Sequence, residues 1–368
     1  MTLQFLDVHY TYDILREPID RAMRDVMESG QYIGGPAVDT FEDSFAKYCG
    51  TAHCVGTGNG LDALVLALRA LDIGPGDEVI VPAHTFIATW LAVSQVGARL
   101  VPVDTDARTM NLDIALVEQA LTPQTKAVIA VHLYGNPVDL GRLAEIAERN
   151  SVELLVDAAQ AHGAQLKGQP ICAQARLSTF SFYPGKNLGA FGDAGAVATS
   201  DPDLAGTIRR LANYGMREKY QHIERGVNSR IDPLQAAILQ QKLSRLDAWN
   251  AHRAAIAAIY LERLASLEGL TMPKVTDGAT SVWHLFVVRH PKRDDLAARL
   301  KEQGIPTALH YPIANHLNGA YRDDFEPDEF PVTRAICETC LSLPIGPHLS
   351  LSQAHQIAET VSQVYNDI

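Results

Sequence analysis

One stretch, SFYPGKNLG at Ser181–Gly189, decides how this chain is interpreted. It places a single lysine between proline and glycine residues, directly after the apolar run Leu177 to Phe182. A strand and a tight turn there would fix the backbone of Lys186, and partial burial would lower the pKa of its amine by disfavouring the ammonium form. A neutral amine is the nucleophile that a Schiff-base lysine needs toward a carbonyl. A solvated loop lysine is the alternative, so support has to come from the rest of the chain.

A carboxylate stands at the end of an earlier apolar run. Val152 to Val156 is typical of a short buried strand, and Asp157 to Gly163 follows it with the sequence DAAQAHG. In a doubly wound sheet, ligands bind beyond the carboxyl ends of the strands. The pyridine nitrogen of pyridoxal phosphate needs a carboxylate, because the protonated ring is the better electron sink. Asp157 is placed for that role, with Gln160 and His162 near the ring hydroxyl; a helix cap is the alternative for Asp157.

A third segment has the composition of a phosphate-binding loop. The strand candidate His53 to Val55 leads into GTGNG at Gly56–Gly60, and the apolar helical run Leu61 to Leu68 follows. Glycines let backbone amides approach an anion, and the helix presents its positive end. A dinucleotide fingerprint would need a third glycine at position 61, which is leucine, and no Gly-Lys-Ser/Thr of a Walker loop follows.

Together, in this order, the three segments resemble the sugar aminotransferases of the DegT/DnrJ/EryC1/StrS family. The resemblance extends from Phe5-Leu6-Asp7 to Ser342–His348. It implies the α/β fold of pyridoxal-phosphate enzymes of fold type I. That fold has a large domain with a mixed, mostly parallel sheet flanked by helices, and a smaller α+β C-terminal domain.

The resemblance also implies site residues. Lys186 would be the Schiff-base lysine and proton shuttle, and Asp157 the partner of the pyridine nitrogen. The remaining cofactor contacts would be Gly58, Asn59, Phe86, Gln160, Ser181 and Asn228. Asn228 would reach the cofactor of the neighbouring subunit, which implies a homodimer with shared active sites. Some relatives carry histidine in place of the lysine and deoxygenate sugars, so Lys186 favours transamination.

The implied substrates are a nucleotide-linked keto-sugar and the amino donor L-glutamate. The candidate substrate contacts are Tyr183, Lys219, Arg230, His310, Tyr311 and His316. Basic side chains in Arg217 to Arg230 could bind the diphosphate, or the segment could be a solvated loop of mixed charge. The variants at Gln160–Gly163 and Val227–Arg230 look most like members that act on a dTDP-linked 3-keto-6-deoxyhexose. Relatives that act at C4 often place histidine at the glutamine position, and a 4-keto-sugar substrate remains the alternative.

Composition excludes several other classes of protein. The chain has 368 residues, a net charge of −12 and 47% hydrophobic residues, which predicts a soluble globular protein without nucleic-acid or membrane partners. No apolar run is long enough to span a bilayer, and a cytoplasmic location is expected. The five cysteines fit reduced thiols. Cys337-x-x-Cys340 has no second ligand pair nearby, so no metal site is predicted.

Strand and helix patterns alternate as in a wound α/β domain. We predict a large cofactor-binding domain over residues 1–250 and a small domain over 251–368, onto which the N-terminal segment could pack. Predicted helices are 19–27, 231–259, 294–303 and 333–341, and predicted strands include 78–81, 100–103, 127–131, 282–288 and 307–311. Two other functions stay open: a nicotinamide-dependent sugar-nucleotide oxidoreductase, and a regulatory member of the fold without turnover.

Overall fold

The computed structural model describes residues 3–365. Its α-helices are α1 Val8–Asp13, α2 Arg16–Ser29, α3 Pro36–Cys49, α4 Gly60–Ala70, α5 Ala88–Val96, α6 Ile114–Ala120, α7 Leu140–Arg149, α8 Pro202–Ala212, α9 Pro233–Leu243, α10 Leu246–Leu264, α11 Arg293–Glu302, α12 Pro331–Thr339 and α13 Leu351–Tyr365. Short 3-10 helices cover Leu133–Gly135, Ile171–Gln174 and Asn315–Leu317.

The strands are β1 His53–Thr57, β2 Glu78–Pro82, β3 Arg99–Val103, β4 Thr125–Val131, β5 Glu153–Asp157, β6 Gln165–Leu166, β7 Gln169–Pro170, β8 Leu177–Ser181, β9 Gly195–Thr199, β10 Met216–Glu218, β11 Gln221–His222, β12 Ala279–Thr280, β13 Phe286–Arg289 and β14 Cys340–Leu343.

A seven-stranded sheet organises the larger part of the chain, in the order β1-β9-β8-β5-β4-β2-β3. The pairs from β8 through β5, β4 and β2 to β3 are parallel. Strand β9 runs antiparallel to both of its neighbours, so β1 points the same way as β8. The predicted mixed, mostly parallel sheet flanked by helices is therefore confirmed. Because β1, β2, β5 and β8 share a direction, their carboxyl ends meet at one edge of the sheet.

Apolar side chains alternate between the two faces of the sheet. In β4, Val128 and Ala130 belong to one core cluster with α3 and α7, while Ala127 and Ile129 belong to a second cluster with α4 and α5. This is the side-chain period of two expected for a strand buried on both faces. The helices thus cover opposite faces of the sheet and leave its edge at the carboxyl ends free to form a site.

A third core cluster lies in the C-terminal part of the chain. It includes apolar residues of α10, α11 and α13 together with the antiparallel pair β13 and β14. Near the N-terminus, the backbone oxygen of Gln4 lies 3.1 Å from His348 Nε2, and the ring of Phe5 stacks on His310 at 5.9 Å. The third cluster is what a smaller C-terminal α+β unit requires, and the boundary at residue 250 remains a prediction because α10 runs across it.

Four predicted elements need correction. The helix predicted over 231–259 is two helices, because α9 ends at Leu243 and α10 begins at Leu246. The strand predicted over 282–288 begins only at Phe286, the first residue of β13, since the Val282 N–H donates to the carbonyl of Gly135, which lies in a 3-10 helix and not in a strand. The strand predicted over 307–311 is a single bridge between Ala308 and Ser342. The helix predicted over 333–341 ends at Thr339, after which β14 begins.

Residues 3–365 contain no helix that is long and apolar enough to cross a membrane. All five cysteines are buried and unpaired. In the same range, no cluster of three histidine, cysteine or acidic side chains could hold a metal ion.

Candidate active site

A cavity of about 710 Å³ opens at the carboxyl edge of the sheet. The sequence-predicted residues that line it are Asn59, Phe86, Asp157, Gln160, Ser181, Tyr183, Lys186, His310 and Tyr311. They come from segments up to 252 positions apart, Asn59 and Tyr311 being the extremes. The fold therefore brings most of the predicted site residues to one place.

Lys186 lies in a turn that the backbone holds on both sides. Its N–H donates to the carbonyl of Tyr183 at 2.8 Å, and Phe182 exchanges 2.7 Å backbone bonds with Ala190 and Ala194. The turn is anchored by Leu188, which is fully buried. Burial lowers the pKa of the Lys186 amine to about 8, although the nearby Asp157 carboxylate opposes that shift. At neutral pH roughly a tenth of the amine is therefore neutral and nucleophilic.

Asp157 is a buried carboxylate at the last position of β5, where it is 6% exposed. The Thr89 hydroxyl donates to its Oδ2 at 3.0 Å and the Ala159 N–H donates to its Oδ1 at 3.1 Å. Burial raises the pKa of Asp157, while these two donors and the Lys186 ammonium oppose the rise. A cationic ring nitrogen facing this carboxylate would stabilise its ionised form further.

The N-terminus of α4 forms one wall of the cavity. Asn59 caps the helix by accepting the Asp62 N–H at 2.8 Å, and Gly60 and Leu61 line the cavity beside it. A side chain at position 60 would lie 2.6 Å from the Ser181 Cβ, so glycine is what allows the helix end to approach that strand. Free N–H groups and the positive end of the helix make this wall suited to a phosphate.

Gly58 is the exception in this loop. Its N–H donates to the Ser229 hydroxyl at 3.0 Å, and Gly58 does not line the cavity. Ser229 in turn donates to Asp62 at 2.6 Å. The predicted phosphate contact of Gly58 is therefore corrected, because its donor already has a protein acceptor.

Gln160, Phe86 and Tyr311 form a connected group that also lines the cavity. Gln160 Oε1 accepts the Tyr134 N–H at 2.7 Å, and its Nε2 donates to the Tyr311 hydroxyl at 2.9 Å. The Phe86 ring is 52% exposed and lies 5.5 Å from the Tyr311 ring. Gln160 is thus fixed at both ends of its amide, and Phe86 offers a free ring face to a planar ligand.

His316 is wrong as a substrate contact. It is completely buried, its Nε2 lies 3.2 Å from the Pro327 carbonyl, and its ring packs edge-on against Phe330. It does not line the cavity, whereas His310 and Tyr311 do. The 3-10 helix Asn315–Leu317 turns the side chain into the core.

Asn228, Lys219 and Arg230 lie outside the cavity of their own chain. Lys219 is exposed in the hairpin of β10 and β11, and Asn228 is exposed beyond it. Arg230 donates to Asn213 at 2.8 Å. Their predicted roles therefore remain predictions that the cavity of a single chain does not support.

Several cavity residues were not predicted from the sequence, namely Phe5, Leu6, Thr89, Arg253 and His284. Thr89 lies one helical turn after Thr85, to which it is hydrogen-bonded at 3.0 Å. The four-residue spacing of the two threonines in TFIAT, residues 85–89, could therefore have indicated that Thr89 faces the cavity. Arg253 and His284 stand in segments without a local motif and reach the cavity only through the fold.

Comparison with known proteins assigns the chain to a protein family. The sequence profile of the DegT/DnrJ/EryC1/StrS aminotransferase family matches residues 13–362. The chain belongs to this family. It is 50% identical over 360 residues to the dTDP-3-amino-3,4,6-trideoxy-alpha-D-glucose transaminase of Streptomyces venezuelae, covering 98% of this chain and 95% of that protein.

Two solved structures extend the comparison. The crystal structure of S. venezuelae DesV in complex with a ketimine intermediate has a TM-score of 0.98 and 49% identity, covering 100% of this chain and 99% of that chain. NtdA of Bacillus subtilis with bound cofactor PMP has a TM-score of 0.93 and 31% identity, covering 99% and 85%. The predicted family, the fold type and the pyridoxal-phosphate-dependent aminotransferase class are confirmed.

The residues of this family member fit the pyridoxal phosphate cofactor. Asp157 is a buried carboxylate, and among the described residues Lys186 is the cation that acts on it, so the carboxylate can face a protonated ring nitrogen. The α4 N-terminus presents free N–H groups beside Ser181, where a phosphate can bind. We propose that Asn59, Ser181, Gln160 and Phe86 hold the cofactor together with Asp157 and Lys186.

The low pKa of Lys186 predicts the pH dependence of cofactor attachment. The rate at which cofactor-free protein reacts with pyridoxal phosphate should rise with pH, with its midpoint at about pH 8, and level off above it, because the neutral amine is the reacting form. The rate can be followed by the yellow absorbance of the attached cofactor. A free lysine derivative is the control, and a midpoint for the protein near that of the free amine would contradict the assignment.

Proposed function

We propose that this aminotransferase transfers an amino group from L-glutamate to C3 of a 6-deoxyhexose carried by dTDP. The observation that carries the proposal is the pair formed by Lys186, an amine of lowered pKa, and Asp157, a buried carboxylate, on one cavity. The name of the S. venezuelae relative, which specifies a 3-amino sugar on dTDP, supports the position and the nucleotide. Transamination is favoured over the nicotinamide-dependent alternative by the family itself.

Bound pyridoxal phosphate supplies an electron sink for the carbon that carries the amino group. Asp157 keeps the ring nitrogen protonated, and Phe86 and Gln160 fix the plane of the ring. Lys186 Nζ removes the proton from the amine-bearing carbon of the donor, and in the second half of the reaction it delivers a proton to C3 of the sugar. A pKa of about 8 lets this one group act as base and as acid near neutral pH.

The shape of the cavity supports a sugar nucleotide as the second substrate. Among the residues that line the cavity, Asp157 is buried and Lys186 is half-buried, whereas Tyr183 is 59% exposed. A sugar ring reaching Lys186 would extend past Tyr183 and leave its nucleotide outside the cavity. Tyr183, His310 and Tyr311 are the sugar contacts we propose.

A side-by-side assay tests the position of the ketone. Purified protein with L-glutamate should aminate a dTDP-linked 3-keto-6-deoxyhexose at least about ten times faster than its 4-keto isomer, a difference of about 1.4 kcal/mol in transition-state binding. The measurement is the initial rate of 2-oxoglutarate release. Amination of the 4-keto-sugar alone would favour the C4 alternative.

We further propose a homodimer with shared active sites, working in the cytoplasm. The segment that carries Lys219, Asn228 and Arg230 also exposes several large apolar side chains, Tyr214, Tyr220, Ile223 and Val227. Such a patch is typical of a protein interface, and burial there would bring Asn228 to a neighbouring copy. Unpaired, buried cysteines support a reducing compartment.

Subunit complementation tests the shared site. Lys186→Ala and Asn228→Ala proteins should each be poorly active, and refolding them together should restore about a quarter of wild-type activity, since half of the dimers then carry one intact site. The measurement is turnover after mixing and refolding. Full activity of Asn228→Ala alone, or no recovery on mixing, would contradict the shared site.

A further inference from the structure

A buried arginine lines the cavity without an acidic partner. Arg253, on α10, is 3% exposed and forms part of the cavity wall. Among the ion pairs of residues 3–365, none includes Arg253. Burial lowers the pKa of its guanidinium to about 10, which leaves it charged at neutral pH. A buried charge without a counter-charge is costly, and such a group is expected to meet an anion when the site is in use.

The hydrogen bonds of Arg253 show which nitrogen is free for a ligand. Nη1 donates to the carbonyls of Trp283, His284 and Ile345, each at 3.2 Å. Nε is enclosed and has no acceptor, while Nη2 forms no hydrogen bond within residues 3–365 and is not among the fully enclosed atoms. Three carbonyls therefore fix the guanidinium in place, and Nη2 is the donor that an incoming oxygen can reach.

Within residues 3–365, none of the other charged side chains on the cavity wall is a cation that is free to bind a second anion. Lys186 attaches the cofactor, and Asp157 faces the ring nitrogen. Asp193 also lines the cavity, and it is an anion. Arg253 is thus the remaining formal cation among the described residues of this wall.

The position of Arg253 selects the kind of anion. An amino acid whose proton Lys186 removes must bring the whole of its small skeleton into the cavity, and its α-carboxylate is one bond from the reacting carbon. The diphosphate of a sugar nucleotide is separated from the reacting carbon by the sugar ring and would lie nearer the exposed rim. A small carboxylate is therefore the oxyanion that fits an almost fully buried guanidinium.

We propose that Arg253 binds a carboxylate of the amino donor through Nη2. The inference rests on the proposed aminotransferase function and assigns a residue to its first half-reaction. It makes Arg253 specific for the donor, because an amino-sugar nucleotide carries no carboxylate for it to bind.

The two half-reactions separate this role from a structural one. In cofactor-loaded Arg253→Met protein, the concentration of L-glutamate that half-saturates bleaching should rise at least about 30-fold, as expected for the loss of a hydrogen-bonded charge. Bleaching by the amino-sugar nucleotide product should change less than about threefold. Arg253→Lys, which keeps the charge, should lie between Arg253→Met and the wild type for glutamate.

A matched control and a second readout complete the experiment. Arg293 is another largely buried arginine that donates to two carbonyls, those of Cys337 and Cys340, but it lies outside the cavity. Arg293→Met should lower thermal stability without a selective effect on glutamate. Glutarate, which has carboxylates but no amine, should bind the loaded wild type in calorimetry and bind Arg253→Met at least about tenfold more weakly.

The outcomes distinguish this inference from the proposed function. The proposal would be overturned if Arg253→Met and Arg253→Lys lost activity equally in both half-reactions and kept their glutarate affinity. Arg253 would then have only the structural role of binding its three carbonyls. If Arg253→Met does not fold, the same comparison is made with Arg253→Lys. A selective loss with glutamate and weaker glutarate binding would support the proposal, and equal losses with unchanged glutarate affinity would overturn it. A loaded wild type that no amino acid bleaches would overturn the proposed function, and glutarate binding that depends on Arg253 would still support the carboxylate site.

Discussion

Lys186→Ala protein is expected to bind pyridoxal phosphate without a covalent bond and to lose turnover by about 10³-fold or more, because Lys186 serves both as the attachment point and as the proton carrier. Borohydride reduction of the loaded protein, followed by peptide mass spectrometry, should place the cofactor on Lys186 in the wild type and on no residue of the variant. Steady-state rates with L-glutamate and the keto-sugar give the loss of turnover.

Two other lysines serve as controls for this expectation. Lys301 is exposed, and Lys301→Ala should behave as the wild type. Lys242 is more informative, because burial lowers its pKa also to about 8, yet its Nζ donates to the Gly189 carbonyl at 2.5 Å and lies outside the cavity. Labelling of Lys242, or normal turnover of Lys186→Ala, would contradict the assignment.

Asp157→Asn protein should lose turnover by at least about 100-fold while it still binds the cofactor. An amide cannot keep the ring nitrogen protonated. Removal of one preorganised group that stabilises a transition state typically lowers kcat by about 100-fold or more. Since the Asp157 carboxylate raises the pKa of Lys186, its removal should also shift the pH midpoint of cofactor attachment below about 8.

Thr89→Val is the matched control for Asp157. It removes one hydrogen bond to Oδ2 but keeps the carboxylate, so its turnover should fall by about tenfold or less. Measurements are the turnover rate and the pH profile of cofactor attachment for both variants. An Asp157→Asn enzyme that retains more than half of wild-type turnover would show that the carboxylate does not act on the ring.

The residues that sequence analysis located are those whose role depends on local structure. Lys186 and Asp157 follow apolar strands directly, and the parallel sheet then brings strand ends together whatever the rest of the chain does. Asn59 could be located for the same reason, since it caps the helix that follows a strand. These positions required only the pattern of strand, turn and helix.

The residues that it missed or misplaced depend on long-range packing. Arg253 reaches the cavity because carbonyls 30 to 92 positions away fix its side chain. His316 lies only five positions from Tyr311, yet it turns into the core, and closeness in sequence gave no sign of that direction. Gly58 lost its predicted role to Ser229, which is 171 positions away. No local pattern carries such information.

The central claim is that this protein is a pyridoxal-phosphate-dependent aminotransferase that takes its amino group from L-glutamate. The most direct measurement is the visible absorbance of the cofactor-loaded protein before and after L-glutamate is added without a keto-sugar. We predict a yellow protein that bleaches and releases about one 2-oxoglutarate per active site, as the first half of a two-step transfer requires. A protein that stays colourless with pyridoxal phosphate, or a yellow one that no amino donor bleaches, would contradict the account.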